Sequence, residues 1–425
     1  MEFKEYLLKK YDEDFVNDFL SASKDERTSS LILNTNKYSK DILNGVNLIS
    51  HPYIKNAFYY DKNVNKLGID YRFENGVYFI QDAASMMTVH ALDVQKDDVI
   101  LDLCAAPGGK TIDAAIKLNN SGLIVANDIS YERCRVLSSN IERMGFSNVI
   151  ISNTDFEKVY THYLNSFDKI ILDAPCSGSF MFRKNENARL DWTYEKVLSC
   201  QKTQRNLIEI AYQMLKPGGK LIYSTCSISP EENEEIISEL LKNHDDIHAQ
   251  KLDFNDDVYE SKILKNSYYF LPFKFNCEGQ FICLLTKDGI QKNYIPNSEN
   301  FKKYSGFAGF FDISFENYIT KNDQIYGYNS PIKLNKLNIL KYGLLISKKK
   351  GKIEIPSFHL AHFLDSKKSI KLTEEEFKKY IHGEEISRDI NSDGFHVVSY
   401  NEVNLGFVKS SNGKLKNHYP KGLRK

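Results

Sequence analysis

The 425-residue chain reads as an α/β protein built on a doubly wound, mostly parallel sheet, with a small N-terminal domain and a β-rich C-terminal module. Three observations predict this. Between residues 97 and 290, short β-rich runs alternate with stretches of helical period, the pattern of βαβ units. A turn of small residues and glycines, Asp102 to Thr111, follows the first run. Acidic or cysteine-bearing loops follow the later runs, and in a doubly wound sheet such loops share the edge where ligands bind. At this length one hydrophobic core does not suffice, so two to four domains are expected.

Taken in order, the chain before residue 76 is irregular, polar and rich in Asn and Lys, with Arg27 and Leu31-Ile32-Leu33-Asn34-Thr35 as its ordered-looking part. Residues 1–75 are read as a small N-terminal domain and residues 76–290 as the core. The β runs of the core are Val99–Leu103, Leu123–Asn127, Val149–Ser152, Lys169–Leu172, Lys220–Ser224 and Phe281–Leu285. Between them, Tyr131–Met144 places Leu137, Ile141 and Met144 on one helical face, with Val136 beside them. The polar stretch Asn293–Lys303 reads as a linker, and residues 291–345 as linker plus the start of the C-terminal region. In residues 346–425, with Gly343–Ser347 leading in, short strands at Phe395–Tyr400 and Leu405–Val408 surround one helical segment, Thr373–His382. That pattern describes a small barrel-like module, and there is no internal repeat.

The 56 Lys and Arg cancel the 56 Asp and Glu, so whole-chain charge names no polyanionic partner. The stretch Lys409–Lys425 is basic throughout, which suits either a phosphate backbone or a solvated tail. The charged start, Met1-Glu2-Phe3-Lys4-Glu5-Tyr6, does not resemble a secretory signal, and no apolar run approaches the roughly 18 residues of a membrane span. A cytoplasmic protein that engages no membrane is therefore expected, and the chain is read as a monomer. Seven cysteines occur, none spaced as Cys-x-x-Cys, which disfavours a structural disulfide framework and a zinc site.

Two of those cysteines end strand-like runs: Cys176 in Asp173-Ala174-Pro175-Cys176-Ser177-Gly178, and Cys226 in Ser224-Thr225-Cys226-Ser227. Two thiols delivered to one edge imply a disulfide, a metal site or covalent catalysis. The turn Cys104-Ala105-Ala106-Pro107-Gly108-Gly109-Lys110-Thr111 lets the backbone approach a ligand and opens a helix toward it. It is not a phosphate-binding P-loop, which needs a glycine where Cys104 stands. Asp128 is placed to bind a ribose diol and Asp155 an adenine amino group, although each is also a normal helix-capping or turn residue. Lys110 reaches toward cofactor or substrate, and Arg133 reads as ligand contact or surface ion pair. Arg183, Lys184 and Arg189 are candidates for phosphate contacts. Cys104 reads as a small packing residue with its backbone near the ligand, and Cys134, Cys200, Cys277 and Cys283 as core.

Asp102–Thr111, Asp173–Gly178 and Ser224–Ser227 resemble, in order and spacing, the signature of the Sun/Fmu (NOL/NOP/Sun) family of S-adenosylmethionine-dependent RNA cytosine-5 methyltransferases. Leu215-Lys216-Pro217-Gly218-Gly219 and Pro230-Glu231-Glu232-Asn233-Glu234 support the match, which covers about residues 76–287. Leu405–Lys409 and Gly413–Arg424 look like the PUA-like module of the bacterial RsmF branch, whose members modify small-subunit ribosomal RNA. Two departures stand out: Leu271-Pro272-Phe273 where the branch usually has Trp-Pro-His, and Phe407 where Trp is common.

The resemblance implies a Rossmann-like class I methyltransferase core binding S-adenosylmethionine through Cys104–Lys110, Asp128, Asp155 and Asp173. It also implies an RNA partner, ribosomal RNA or a small ribosomal subunit, with residues 1–75 as an N-terminal RNA-binding domain and residues 346–425 as a PUA-like RNA-binding module. In that chemistry Cys226 attacks carbon 6 of cytosine, Asp173 meets nitrogen 3 and the exocyclic amine or faces the cofactor, and Cys176 assists release. Carbon 6 is hidden in a stacked duplex, so the target must be single-stranded, looped or flipped out. The alternatives are a transfer-RNA methyltransferase of the same chemistry and a catalytically silent RNA-binding assembly factor.

Overall fold

The computed structural model describes residues 2–22, 29–183, 186–290, 301–306, 311–351, 353–390, 392–411 and 413–424. Arg27, Lys184 and most of the expected linker lie outside them. At its centre is a ten-stranded sheet. Its principal strands are β1 (Val99–Asp102), β2 (Leu123–Asn127), β3 (Val149–Ser152), β4 (Phe167–Asp173), β5 (Leu215–Thr225), β6 (Tyr268–Phe270) and β7 (Gln280–Lys287). Across the sheet they run β6-β7-β5-β4-β1-β2-β3. β1 to β5 are parallel, whereas β7 enters antiparallel to β5 and β6 antiparallel to β7.

Chain order reverses between β1 and β4, which lie side by side. A crevice opens outside the carboxyl ends of two such strands because their crossover helices leave to opposite faces. These strands are buried on both faces, which explains their continuous apolar runs. The helix Tyr131–Met144 forms as its period predicts: Leu137, Ile141 and Met144 are buried while Val136 is 52 % exposed. Ser130 caps its start through its hydroxyl, and Gly145 ends it at φ +71°, where a side chain would be strained.

The leading region is more ordered than its composition suggests. Helices Phe3–Lys10 and Glu13–Ala22 pack Tyr6, Leu7, Val16 and Phe19 into the core of the central sheet. Phe273, which stands where the resembling branch usually has His, meets Phe15 of the second helix edge-on, with ring centroids 5.4 Å apart. A separate four-stranded antiparallel sheet follows, in the order Leu48–Ser50, Ala57–Tyr60, Ser29–Leu33, Tyr78–Ile80. Its last strand lies beyond residue 75, because Leu31–Leu33 needs a hydrogen-bonding partner on that side.

The region expected as linker also differs. Ile339–Lys341 pairs antiparallel with β3 and covers the outer edge of the central sheet, an edge whose backbone groups would otherwise lie open to pairing with another chain. Strands Asn317–Lys321, Gln324–Tyr328, Leu344–Lys350 and Ile353–Pro356 make a further antiparallel sheet, so the boundary at 345/346 cuts one of its strands. The closing module is a five-stranded sheet with the helix Glu374–His382, started by a capping box of Thr373 and Glu376. Phe407 is buried in it against Phe311. His362 ties three regions together: its ring nitrogens lie 2.9 Å from the Arg143 carbonyl and 3.0 Å from Asn75 Oδ1. Among the described residues no helix is long and apolar enough to cross a membrane.

Candidate active site

β1, β4 and β5 bring their carboxyl ends to one edge, and their loops carry every residue of the two cysteine motifs. The turn after β1 depends on two glycines. Gly108 has φ +111°, and a Cβ there would stand 2.9 Å from Leu137; a Cβ on Gly109 would meet the Gln81 side chain at 2.9 Å. Helix Gly109–Leu118 therefore starts against its neighbours with its amide groups toward the cleft. Lys110 is nearly buried. Its ammonium pairs with Asp173 Oδ2 at 2.8 Å and donates to Ser85 Oγ at 3.0 Å. Asp173 Oδ1 accepts from Ser224 Oγ at 2.7 Å and from Gln280 Nε2 at 3.1 Å.

Cys176 and Cys226 come together with their sulfurs 3.0 Å apart, both as free thiols. The Cys226 sulfur beside it, followed by burial, holds the Cys176 thiol well above its ordinary range. Two cavities meet at this pair. One, of about 430 Å³, is lined by Asn127, Asp128, Asp155, Phe156 and Cys176. The other, of about 380 Å³, is lined by Gln81, Ser85, Ala105–Pro107, Gly109, Lys110 and Gln280. Cys104, Arg133, Asp173 and Cys226 border both.

In the first cavity Asp128 is buried. Its Oδ1 caps Ser130 N, while its Oδ2 accepts no hydrogen bond and faces the Arg133 guanidinium at 3.2 Å. Arg133 also donates to the Ala106 carbonyl at 2.5 Å, so it is both an ion-pair partner and a wall of the cleft. Asp155 caps the short turn at Phe156 and pairs with Lys158 at 2.9 Å. Beneath the glycine turn, burial raises the Asp102 carboxyl to about 7 against the opposing pull of the Thr111 hydroxyl, which donates to it at 2.6 Å.

The remaining candidates divide. Cys104 is half-buried in the turn, and burial pushes its thiol up. Cys134, Cys277 and Cys283 are buried, but Cys200 is only half-buried. Arg183 is engaged within the protein. It pairs with Glu278 at 3.0 Å and donates to the Cys277 carbonyl at 2.5 Å, which leaves it 13 % exposed.

Gln81, Ser85 and Gln280 are site residues that sequence reasoning missed. Gln81 and Ser85 precede the first core strand, and Gln280 begins an antiparallel one. The Gly-rich turn offered no signal for them, because their place follows from how the N-terminal sheet and β7 dock.

Comparison with known proteins agrees with this architecture. Residues 89–286 match the family model described as 16S rRNA methyltransferase RsmB/F, and residues 367–425 match that of the methyltransferase RsmF PUA domain. The chain is 30% identical over 442 residues to ribosomal RNA small subunit methyltransferase F of Vibrio vulnificus, covering 96% of this chain and 93% of that protein. It is 37% identical over 285 residues to its counterpart in Vibrio parahaemolyticus, where the match spans 59% of the relative's length. Among solved structures, a methyltransferase homolog protein from Pyrococcus horikoshii superposes with a TM-score of 0.57 at 30% identity, covering 67% of this chain and 98% of that one. NSun6 from the same organism has the same fold, with a TM-score of 0.61 at 23% identity over 68% of this chain and 98% of that one. The chain belongs to the RsmB/F family of RNA methyltransferases.

Proposed function

We propose that this protein transfers a methyl group from S-adenosylmethionine to carbon 5 of a cytosine in small-subunit ribosomal RNA, through a covalent adduct on Cys226. The observation that carries the reading is the pair of sulfurs, 3.0 Å apart at the seam of two cavities. Each cavity has the chemistry one reactant needs.

The first suits the cofactor's nucleoside. Asp128 Oδ2 is a buried acceptor with no hydrogen bond, fit for a ribose diol, and Phe156 and the exposed Ile129 flank it with apolar surface. Cys104, Asp155 and Asp173 complete the cofactor's surroundings in this cavity, with the rest of the turn to Lys110 reaching the cofactor from the side of the second, and the acidic members favour a cationic sulfonium. When bound, S-adenosylmethionine supplies an electrophilic methyl group. The second cavity takes the base. The Cys226 thiolate bonds to carbon 6 and the ring's electron pair moves to carbon 5, which makes that carbon nucleophilic. Asp173, held by Lys110, Ser224 and Gln280, is fixed to hydrogen-bond the pyrimidine edge. Cys176 lies beside the departing sulfur and serves the release step that frees Cys226 after carbon 5 loses its proton.

The PUA domain and the basic C-terminal stretch supply RNA affinity through phosphates. Lys409, Lys414, Lys416 and Lys421 are all exposed. The test is to incubate the protein with radiolabelled cofactor and, separately, naked ribosomal RNA, small subunits and transfer RNA, and then to map the methylated positions. Label at a cytosine of the small-subunit RNA is expected. Label confined to transfer RNA, or none at all, refutes the reading.

A further inference from the structure

We propose that Glu232 is the positioning residue that holds the two reacting thiols in register. This rests on the two-cysteine reading of the site and assigns a part that the reading leaves unfilled. Glu232 ends the short turn Pro230–Glu232 behind the cleft and is fully buried. It lines neither cavity, so it touches neither reactant.

Its carboxylate binds both cysteine loops at once. Oε1 accepts from the backbone N–H of Ser177 at 2.7 Å and from Gln204 Nε2 at 3.2 Å. Oε2 accepts from the hydroxyls of Ser177 and Ser227, each at 2.5 Å. Ser177 follows Cys176 and Ser227 follows Cys226, and their hydroxyls are 3.2 Å apart. Gln204 extends the hold by donating to the Pro175 carbonyl at 2.8 Å. The loops come from different strands and are separated by 50 residues; backbone bonds join them on either side of Cys176, from Ala174 N–H to the Ser224 carbonyl at 2.9 Å and from Phe180 N–H to the Cys226 carbonyl at 3.1 Å, and Glu232 ties the stretch between, at the residues next to the two sulfurs.

An ordinary packing role does not account for this group. Burying a carboxyl is costly, and an apolar side chain of the same size would fill the space better. What a carboxylate adds is two oxygens that accept four donors, three from the two cysteine loops and one from Gln204. The Cys226 loop has a restraint of its own: Asn233 donates to the Ser227 carbonyl at 2.7 Å and accepts from Thr225 Oγ1 at 2.5 Å. Loss of Glu232 therefore loosens Cys176 against Cys226 between the flanking backbone bonds while leaving the Cys226 loop shaped.

Gln at position 232 preserves the hold. Its oxygen keeps Ser177 N–H and Gln204, and its amide donates to the two hydroxyls once they turn to accept. Ala removes all four bonds.

The test measures thiol separation directly. Dibromobimane fluoresces fully only when both its arms are displaced by thiols a few ångström apart. In a Cys200→Ser background, which removes the half-buried thiol that also meets Glu232, peptide mapping should place the bridge between Cys176 and Cys226. Glu232→Ala should slow bridging about tenfold and lower kcat about 100-fold, the cost of an ångström-scale misplacement. Its cofactor Kd and RNA KM should stay within about twofold, while Glu232→Gln restores both bridging and kcat to within about threefold. If Glu232→Ala fails to fold by circular dichroism, Ser177→Ala and Ser227→Ala each cut one link and should slow bridging alone and more together.

Bridging and kcat at parental levels in Glu232→Ala overturn the proposal, as does a Gln variant as impaired as the Ala variant. Bridging needs no methyl transfer. A parent protein that bridges readily but methylates no RNA therefore refutes the functional reading while the Glu232 variants still decide the positioning.

Discussion

The two halves of the cleft are assembled in different ways. The half around Asp128, Asp155 and Phe156 comes from consecutive strand-to-helix turns of one sheet, each placed by its own βα unit. The half around Gln81, Ser85, Lys110 and Gln280 gathers residues from the N-terminal sheet's exit, the first core turn and an antiparallel strand near the end of the catalytic region. On the proposed reading, the cofactor half is of the first kind and needs only the doubly wound sheet, which many chains share. The base half is then of the second kind and needs the flanking sheet docked in place, which would link the choice of target to regions outside the core.

The sharpest break falls on the seam between the halves. Cys226→Ala should lower kcat by about 10⁴-fold or more while leaving cofactor binding intact, measured by methyl transfer and by calorimetry. Cys176→Ala should instead stall after transfer and accumulate a protein–RNA adduct that survives denaturing electrophoresis. Turnover by the Cys226→Ala protein would reverse the two assignments.

Asp102, at the end of β1, tests the electrostatics shared by both halves. Burial raises its carboxyl to about 7 from an ordinary value of 3.8, with Asp173 and Asp128 pushing it up and Lys110 pulling it down. The folded chain holds this proton more tightly than the unfolded one, so the group's stabilising contribution fades as pH rises through 7. Asp102→Asn lacks this dependence. Its Tm relative to the parent should climb between pH 5 and pH 8, by an amount equivalent to about 2–3 kcal/mol, and a flat difference would contradict the burial argument.

Asp128→Asn belongs to the cofactor half alone. Losing the charge on a hydrogen bond to a diol should weaken cofactor binding by about 2 kcal/mol, roughly 30-fold in Kd, with RNA KM unchanged. Ser85→Ala is the complementary probe on the base half. It removes one partner of the Lys110 ammonium, and about 1 kcal/mol, roughly fivefold, should appear in RNA KM or kcat rather than in cofactor Kd. If both variants moved both constants equally, the two halves would not be separable.

Legibility in the sequence followed the range of the interactions. Tyr131–Met144 was readable to the residue because a helix's bonds and buried face are local. The buried parallel strands announced themselves as apolar runs, although β4 and β5 extend further than their most apolar segments. Ile339–Lys341 gave no signal: three residues carry no period, and their strand exists because the β3 edge offers unpaired backbone groups. The helices of residues 3–22 were hidden for a related reason. Their buried residues are covered by the methyltransferase core, so their short mixed pattern means little without it.

By itself the sequence determined the doubly wound core, the glycine turn and the two cysteine loops, because each is a local pattern whose spacing is set by βα geometry. Only the tertiary structure decided how closely the two thiols approach, which neighbours hold Asp173, and how a buried carboxylate at Glu232 joins two loops 50 residues apart. Those are long-range placements. They arise when separately encoded strands align in one sheet and their loops must share buried hydrogen bonds, a requirement that no single stretch of sequence expresses.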